Sequence, residues 1–244
     1  MRLIGAHVRA KVQELLRIPG LLVPTVLFPC LLFLFLGAPN AHIPAAAAFF
    51  VGSYTVVAML GVALFQFGVN LADERATPWE VYLRTLPIAP QTRLIARILT
   101  ALAFATVACG LLVVVALVLT PLSSAAVDWL RFVLVVLLGG IPFALGGIAL
   151  AYIASPKAAT PLANVLYLLL AFAGGLWVTP DSLPPLVAGI SPSLPTRQYA
   201  ELVWSAVRGQ SWPQEAVAGL LVYTLLFGVL ATWGYQRDQG QAYR

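Results

Sequence analysis

Residues 132–153 read FVLVVLLGGIPFALGGIALAYI, a run of twenty-two residues without a formal charge. As an α-helix it reaches about 33 Å, the thickness of the hydrocarbon core of a bilayer. Pro142 would break a helix in water but is tolerable in lipid, where neighbouring helices satisfy the freed carbonyl. Gly140 and Ala144, then Gly147, Ala151 and Ser155, place small residues at i,i+4 spacing, which lets another helix approach closely. Moving outward from this run, comparable apolar stretches occur at 19–36, 45–70, 95–119, 161–178 and 216–235. The expected fold is therefore an all-α polytopic membrane protein, a single domain over residues 1–244 with six transmembrane helices.

The composition leaves no room for a soluble reading. Of 244 residues, 61% are hydrophobic and only 9% charged, against about 25% charged in soluble domains. Such a chain has too little polar surface to cover a globule in water, and too much Leu, Val and Phe to be disordered. The net charge of +5 does not point to nucleic acid, because the basic residues are scattered between apolar runs. Their placement carries topology instead. Arg2, Arg9, Lys11, Arg17, Arg75, Arg84, Arg93, Arg97, Lys157, Arg237 and Arg244 fall on one side of a six-span arrangement, and Arg131, Arg197 and Arg208 on the other. Eleven against three puts both termini in the cytoplasm, as an even span count also requires. The expected location is the cytoplasmic (inner) membrane.

Residues 1–18 place Ile4, Val8, Val12 and Leu15 on one stripe, with Arg2, Arg9, Gln13 and Arg17 elsewhere, so an amphipathic helix on the cytoplasmic interface is expected. The long charged region with Glu14 argues against a cleaved signal peptide. Between the second and third spans, residues 71–94 read LADERATPWEVYLRTLPIAPQTRL. Thr77-Pro78 suits a helix entry and Pro87 and Pro90 an exit, which leaves a short amphipathic cytoplasmic helix. It is either a docking surface or a solvated connector with interfacial aromatics. The external segment 179–215 holds six prolines and an apolar stretch, 183–190, too short to span a bilayer. After it, Tyr199, Leu202, Val203 and Ala206 share a helical face. Short re-entrant or interfacial helices before the sixth span are expected.

Chemistry is sparse. The two histidines, His7 and His42, fall on opposite sides, and the chain has no HExxH, no GxSxG and no Asp pair spaced for a metal. No enzyme activity and no cofactor on this chain are expected. Without GxxxxGK[ST] it cannot cradle nucleotide phosphates, so any ATP-driven work needs a second polypeptide. Asp, Glu and Lys are lacking near the midplane of the spans, which disfavours an ion-coupled carrier. Among the few polar groups in spans, Gln66, Asn70, Asn164 and Tyr167 are the candidates for lining a cavity.

At this point the chain resembles the membrane-spanning (permease) subunit of ABC-2 type transporters. Glu74-Arg75 followed by Glu80-Val81-Tyr82-Leu83-Arg84-Thr85-Leu86-Pro87-Ile88 is similar to the family's ER…GTxE…LRxxPI stretch, with Ala76-Thr77-Pro78 where a Gly is usual. Gly174-Gly175-Leu176-Trp177-Val178-Thr179-Pro180, Leu183-Pro184, Ile190-Ser191-Pro192 and Leu194-Pro195-Thr196 are similar to its fifth-span end and external segment. The resemblance implies a permease subunit of an ATP-driven exporter. Its partners would be a cytoplasmic ABC ATPase subunit, which carries ATP and Mg, and a second permease copy, as a homodimer or with a similar heterodimer partner. Residues 71–94 would then be the coupling segment, with Glu74, Arg75, Trp79, Glu80, Leu83 and Arg84 as the coupling residues. The apolar walls favour a hydrophobic or amphiphilic substrate such as a drug or lipid. The alternative is an ion-coupled or passive transporter without an ATPase partner.

Overall fold

A computed structural model describes residues 27–77, 90–122 and 125–242, and the side chains of all of these except 90–104 and 239–242. The expected interfacial helix at 1–18 lies outside the described residues. Within them the chain is helical and has no strand. Its elements are α1 (Leu27–Asn40), α2 (Pro44–Arg75), α3 (Pro90–Leu119), α4 (Ala126–Ile153), α5 (Pro156–Ala173), α6 (Pro185–Ile190), α7 (Pro195–Val207) and α8 (Gln214–Ala242). Among the described residues four helices are long and apolar enough to cross a membrane: α2, α4, α5 and the Gln214–Asp238 part of α8. Leu27–Asn40 and Ala105–Leu119 are shorter apolar helices.

Proline begins five of these helices, at residues 44, 90, 156, 185 and 195. Pro44, Pro156 and Pro195 stand in the first turn, where a missing N–H leaves no hydrogen bond unmade. Within α4, by contrast, helix continues uninterrupted through Pro142. α5 starts and stops five residues before the apolar run at 161–178 does, and the reason for its end is local. Leu176 N–H donates to the Ala171 carbonyl (3.1 Å) and Gly175 N–H to that of Phe172 (3.0 Å), with Gly175 at φ +72°. This is the left-handed glycine stop of a helix, and it overrides the hydropathy of Leu176, Trp177 and Val178.

α4 is the central helix. It packs along α8, against the second half of α2, and against α7. The small residues of α4 make this possible: Gly140 faces Met59, and Gly147 lies directly against the backbone of Ala63 and Phe67 Cβ. Ala144 and Ala151 are buried on the same stripe. On the far sides, α5 and α8 expose rows of Leu and Val, among them Val165, Leu169, Leu221 and Leu225, a surface suited to hydrocarbon.

α7 lies inside the bundle, not on it, packed between α2, α4 and α8. Tyr199, Leu202, Val203 and Ala206, the face expected to be apolar, are all buried. Tyr199 donates its hydroxyl to the Val136 carbonyl (2.8 Å), and its ring rests on Gly139 and tilts against Phe143. Trp204 donates from Nε1 to Ser53 Oγ (3.1 Å) and to the Phe49 carbonyl (3.2 Å), beside Gly52. The polar end of α5 is closed by the same segment. Thr196 Oγ1 donates to the Leu170 carbonyl (2.8 Å) and Ser191 Oγ to that of Ala173 (2.6 Å), so a helix terminus ends in the interior with its carbonyls satisfied. Tyr223 donates to the Ser193 carbonyl (2.7 Å) from nine residues inside α8, about 14 Å from its first residue. Gly209, just past α7, abuts the Asp128 carboxylate near the start of α4. α7 therefore runs back from the interior to the end of the bundle.

Trp204 is thus the pin between α7 and α2. Trp204→Phe keeps most of the packing but removes both hydrogen bonds, and is expected to lower stability by about 1–2 kcal/mol. Thermal unfolding in detergent measures this. A melting temperature equal to that of the wild type would show that the pin contributes nothing.

Candidate functional site

Two polar arrangements among the described residues hold residues singled out from the sequence. The first is on the second half of α2, where Val62–Val69 is a π-helical stretch. Such stretches frequently mark functional positions because the widened turn carries an extra residue. Here it places Gln66 and Asn70 so that the Asn70 amide donates to Gln66 Oε1 (2.7 Å). α5 packs against this stretch. Tyr167, buried, brings its ring to 5.8 Å from Phe65, next to Gly61. Asn164, one turn earlier on α5, is exposed between the exposed Leu162 and Val165. Of the four residues singled out for a cavity, Gln66 and Asn70 are half-buried and paired with each other on α2, Tyr167 is buried at the seam of α5 with this stretch, and Asn164 is exposed.

The second arrangement lies at one end of the bundle. α2 continues in helix beyond Asn70 to Arg75, so Glu74 and Arg75 belong to its last turn. Arg75 Nη1 pairs with Asp238 Oδ1 of α8 at 2.6 Å, across 163 residues of sequence. Its guanidinium carbon stands 4.7 Å over the centroid of the Tyr152 ring of α4. Tyr152 in turn meets Tyr235 of α8 edge-on at 5.5 Å, and Gly234 lets the two backbones approach there. The pair is largely enclosed, Arg75 at 12% and Asp238 at 23% side-chain exposure. Enclosure matters because a desolvated ion pair is costly to break by removing either member. Arg75 Nε is buried with no acceptor. Glu74 is half-buried, and its carbonyl accepts from the Thr77 hydroxyl (2.7 Å), which caps the turn.

Of the six residues that the resemblance implies for coupling, Glu74 and Arg75 are thus placed at the exit of α2. Trp79, Glu80, Leu83 and Arg84 lie outside the described residues. Sequence reasoning missed Asp238 and Tyr152 as partners of Arg75, and Tyr235 behind Tyr152. One signal was available: Asp238 is the single acidic residue after Glu215, in a tail otherwise basic. Among the described residues no group of His, Cys, Asp or Glu gathers to hold a metal, and Cys30 and Cys109 are buried and unbonded.

A family model described as ABC-2 type transporter matches residues 2–207, and the chain belongs to that family. It is also similar to YvfS of Bacillus subtilis (strain 168), a protein whose name describes a transport permease. The two are 24% identical over 204 residues, covering 82% of this chain and 83% of that one. The chain is accordingly a membrane-embedded, multi-pass protein and a membrane transporter of the ABC-2 family.

Proposed function

We propose that this member of the ABC-2 family is the permease subunit of an ATP-driven exporter, working as two permease copies, or one copy and a similar partner, with separate ATPase subunits that carry ATP and Mg. In this reading α1, α2, α3, α4, α5 and α8 are the six spans of a protein of the cytoplasmic membrane. The end of the bundle holding Arg75, Tyr152 and Asp238 is cytoplasmic, as are both termini. α6 and α7 form a re-entrant unit in the outer leaflet. The substrate is hydrophobic or amphiphilic, in keeping with apolar walls.

The observation that carries the reading is the position of Arg75. The chain enters the 71–94 segment from the last turn of α2, and that turn is tied by one guanidinium to both α4 and α8. A force applied to the segment by an ATPase is therefore delivered to three helices at once, which is what a chain with no nucleotide site of its own requires. The Arg75 clasp and the polar seam on the π stretch lie on the same half of α2, so movement at the first reaches the second through one helix.

Purification of the tagged permease should retrieve an ATPase with Walker motifs. Trp79→Ala should then reduce that association about thirtyfold, the scale of an interface aromatic anchor worth about 2 kcal/mol. Recovery of an active transporter with no ATPase would favour an ion-coupled or passive carrier instead. If Trp79→Ala and charge reversals at Glu80 and Arg84 all leave association unchanged, residues 71–94 are a connector and not a coupling surface.

Orientation has its own check. With Cys30 and Cys109 replaced, single cysteines at Gln91 and Ser211 are expected to react with an impermeant reagent in intact cells only at 211. Reaction at 91 would invert the topology.

A further inference from the structure

At the end of the bundle opposite the Arg75 clasp is a cavity of about 540 Å³, open on one side, bounded by the first turns of α2, by α7 and by the short turn Pro180–Ser182. Its volume is in the range of small-molecule sites. One wall is aromatic: Phe49, Phe50 and Trp204 line it, with Phe49 and Trp204 5.0 Å apart. Four charged residues line the cavity as well, Asp181 and, on or just past the helix that carries Trp204, Arg197, Glu201 and Arg208. Two of these neutralise each other. Arg197 Nη2 sits 2.6 Å from Glu201 Oε1, and its guanidinium carbon lies 5.2 Å from the centroid of the Trp204 ring. Asp181 and Arg208 are exposed, and neither has an ion-pair partner among the described residues.

A partly exposed ion pair flanked by one open carboxylate and one open guanidinium is formally neutral, yet it offers both a cation site and an anion site. A ligand with a single charge would satisfy one and face the other unpaired. A zwitterion satisfies both, and an organic ammonium also gains from aromatic faces. Beyond Asn40, a polar residue of the lining, the adjoining surface is apolar, with Phe35 at 70%, Leu36 at 51% and Ile43 at 60% exposure. A polar headgroup seated between Asp181 and Arg208 would thus have apolar surface beside it for its chains.

We propose that this cavity is a headgroup site for a zwitterionic phospholipid, with its phosphate at Arg208 and its ammonium at Asp181 against the aromatic wall. The site is a property of the permease alone and is independent of coupling to ATP, so its failure and the failure of the exporter reading are separate outcomes.

Delipidated full-length permease is titrated with phosphatidylethanolamine and, separately, phosphatidylglycerol, with bound lipid counted by native mass measurement. The zwitterionic lipid is expected to bind about tenfold tighter than the anionic one. Because Asp181 and Arg208 are exposed, Asp181→Asn and Arg208→Gln should melt like the wild type. They are expected to move selectivity in opposite directions. Asp181→Asn weakens phosphatidylethanolamine about tenfold and strengthens phosphatidylglycerol, whereas Arg208→Gln weakens phosphatidylglycerol the more. A preference that is absent in the wild type, or unchanged in both variants, overturns the proposal. Soluble glycerophosphoethanolamine is expected not to displace the lipid at equal concentration. If it does, the ligand is a free zwitterion and the lipid assignment fails.

Discussion

Gly147→Ala is expected to destabilise the bundle by about 2–3 kcal/mol, although alanine is the better helix former by about 1 kcal/mol. The position explains the sign. A methyl at Gly147 would fall against the Ala63 carbonyl and against Phe67 Cβ on α2, and neither is the free end of a flexible side chain. The α4 and α2 backbones must separate, and the contacts along Gly140, Ala144 and Ala151 loosen with them. Gly110→Ala on α3 is the control, because a Cβ there meets nothing within 4 Å. It is expected to stabilise by about 0.5–1 kcal/mol, the ordinary gain of removing an interior helical glycine. Unfolding in detergent should therefore separate the two variants by several degrees in opposite directions. Equal melting temperatures would mean that α2 and α4 do not meet at Gly147.

The second expected result concerns the clasp. Arg75→Glu places a carboxylate opposite Asp238 in a largely enclosed site, which turns an attraction into a repulsion and takes the cation off the Tyr152 face. We expect a stability loss of about 3 kcal/mol, at the lower end of the range for a buried pair broken on one side because Asp238 keeps some solvent. If the clasp transmits force, export in cells should fall at least tenfold while the permease still inserts and retains its ATPase. Asp238→Arg added to Arg75→Glu restores opposite charges with the ends exchanged. It is expected to recover most of the stability but only part of the transport, because the aromatic contact of Arg75 with Tyr152 is not restored. A double variant no more stable than Arg75→Glu alone would show that the two side chains do not act on each other.

Much of this protein could be read from local pattern. Apolar runs too long for anything but a bilayer marked out the helices. The i,i+4 small residues of 140–151 marked a packing face, since side chains four apart lie one above the other on a helix. Tyr199, Leu202, Val203 and Ala206 declared the buried face of α7 for the same reason. Helix ends were less legible from hydropathy, because a helix keeps its hydrogen bonds through polar turns: α2 runs on through Asp73, Glu74 and Arg75. The end of α5, by contrast, rests on a glycine geometry to which apolar content is blind.

Features that depend on neighbours along the chain were therefore legible in it: helix, bilayer, the small-residue faces and the family likeness carried by Glu74-Arg75 and the segment from Gly174 to Thr196. Which distant groups meet was fixed instead by the packing of the helices. Arg75 and Asp238 are 163 residues apart, Trp204 and Ser53 are 151, and Tyr199 and Val136 are 63. No periodicity links such pairs, because their proximity comes from the packing of separate helices. A polar group in an apolar bundle must find a partner, and the chain alone shows which groups are in need but not which partner the packing brings within reach.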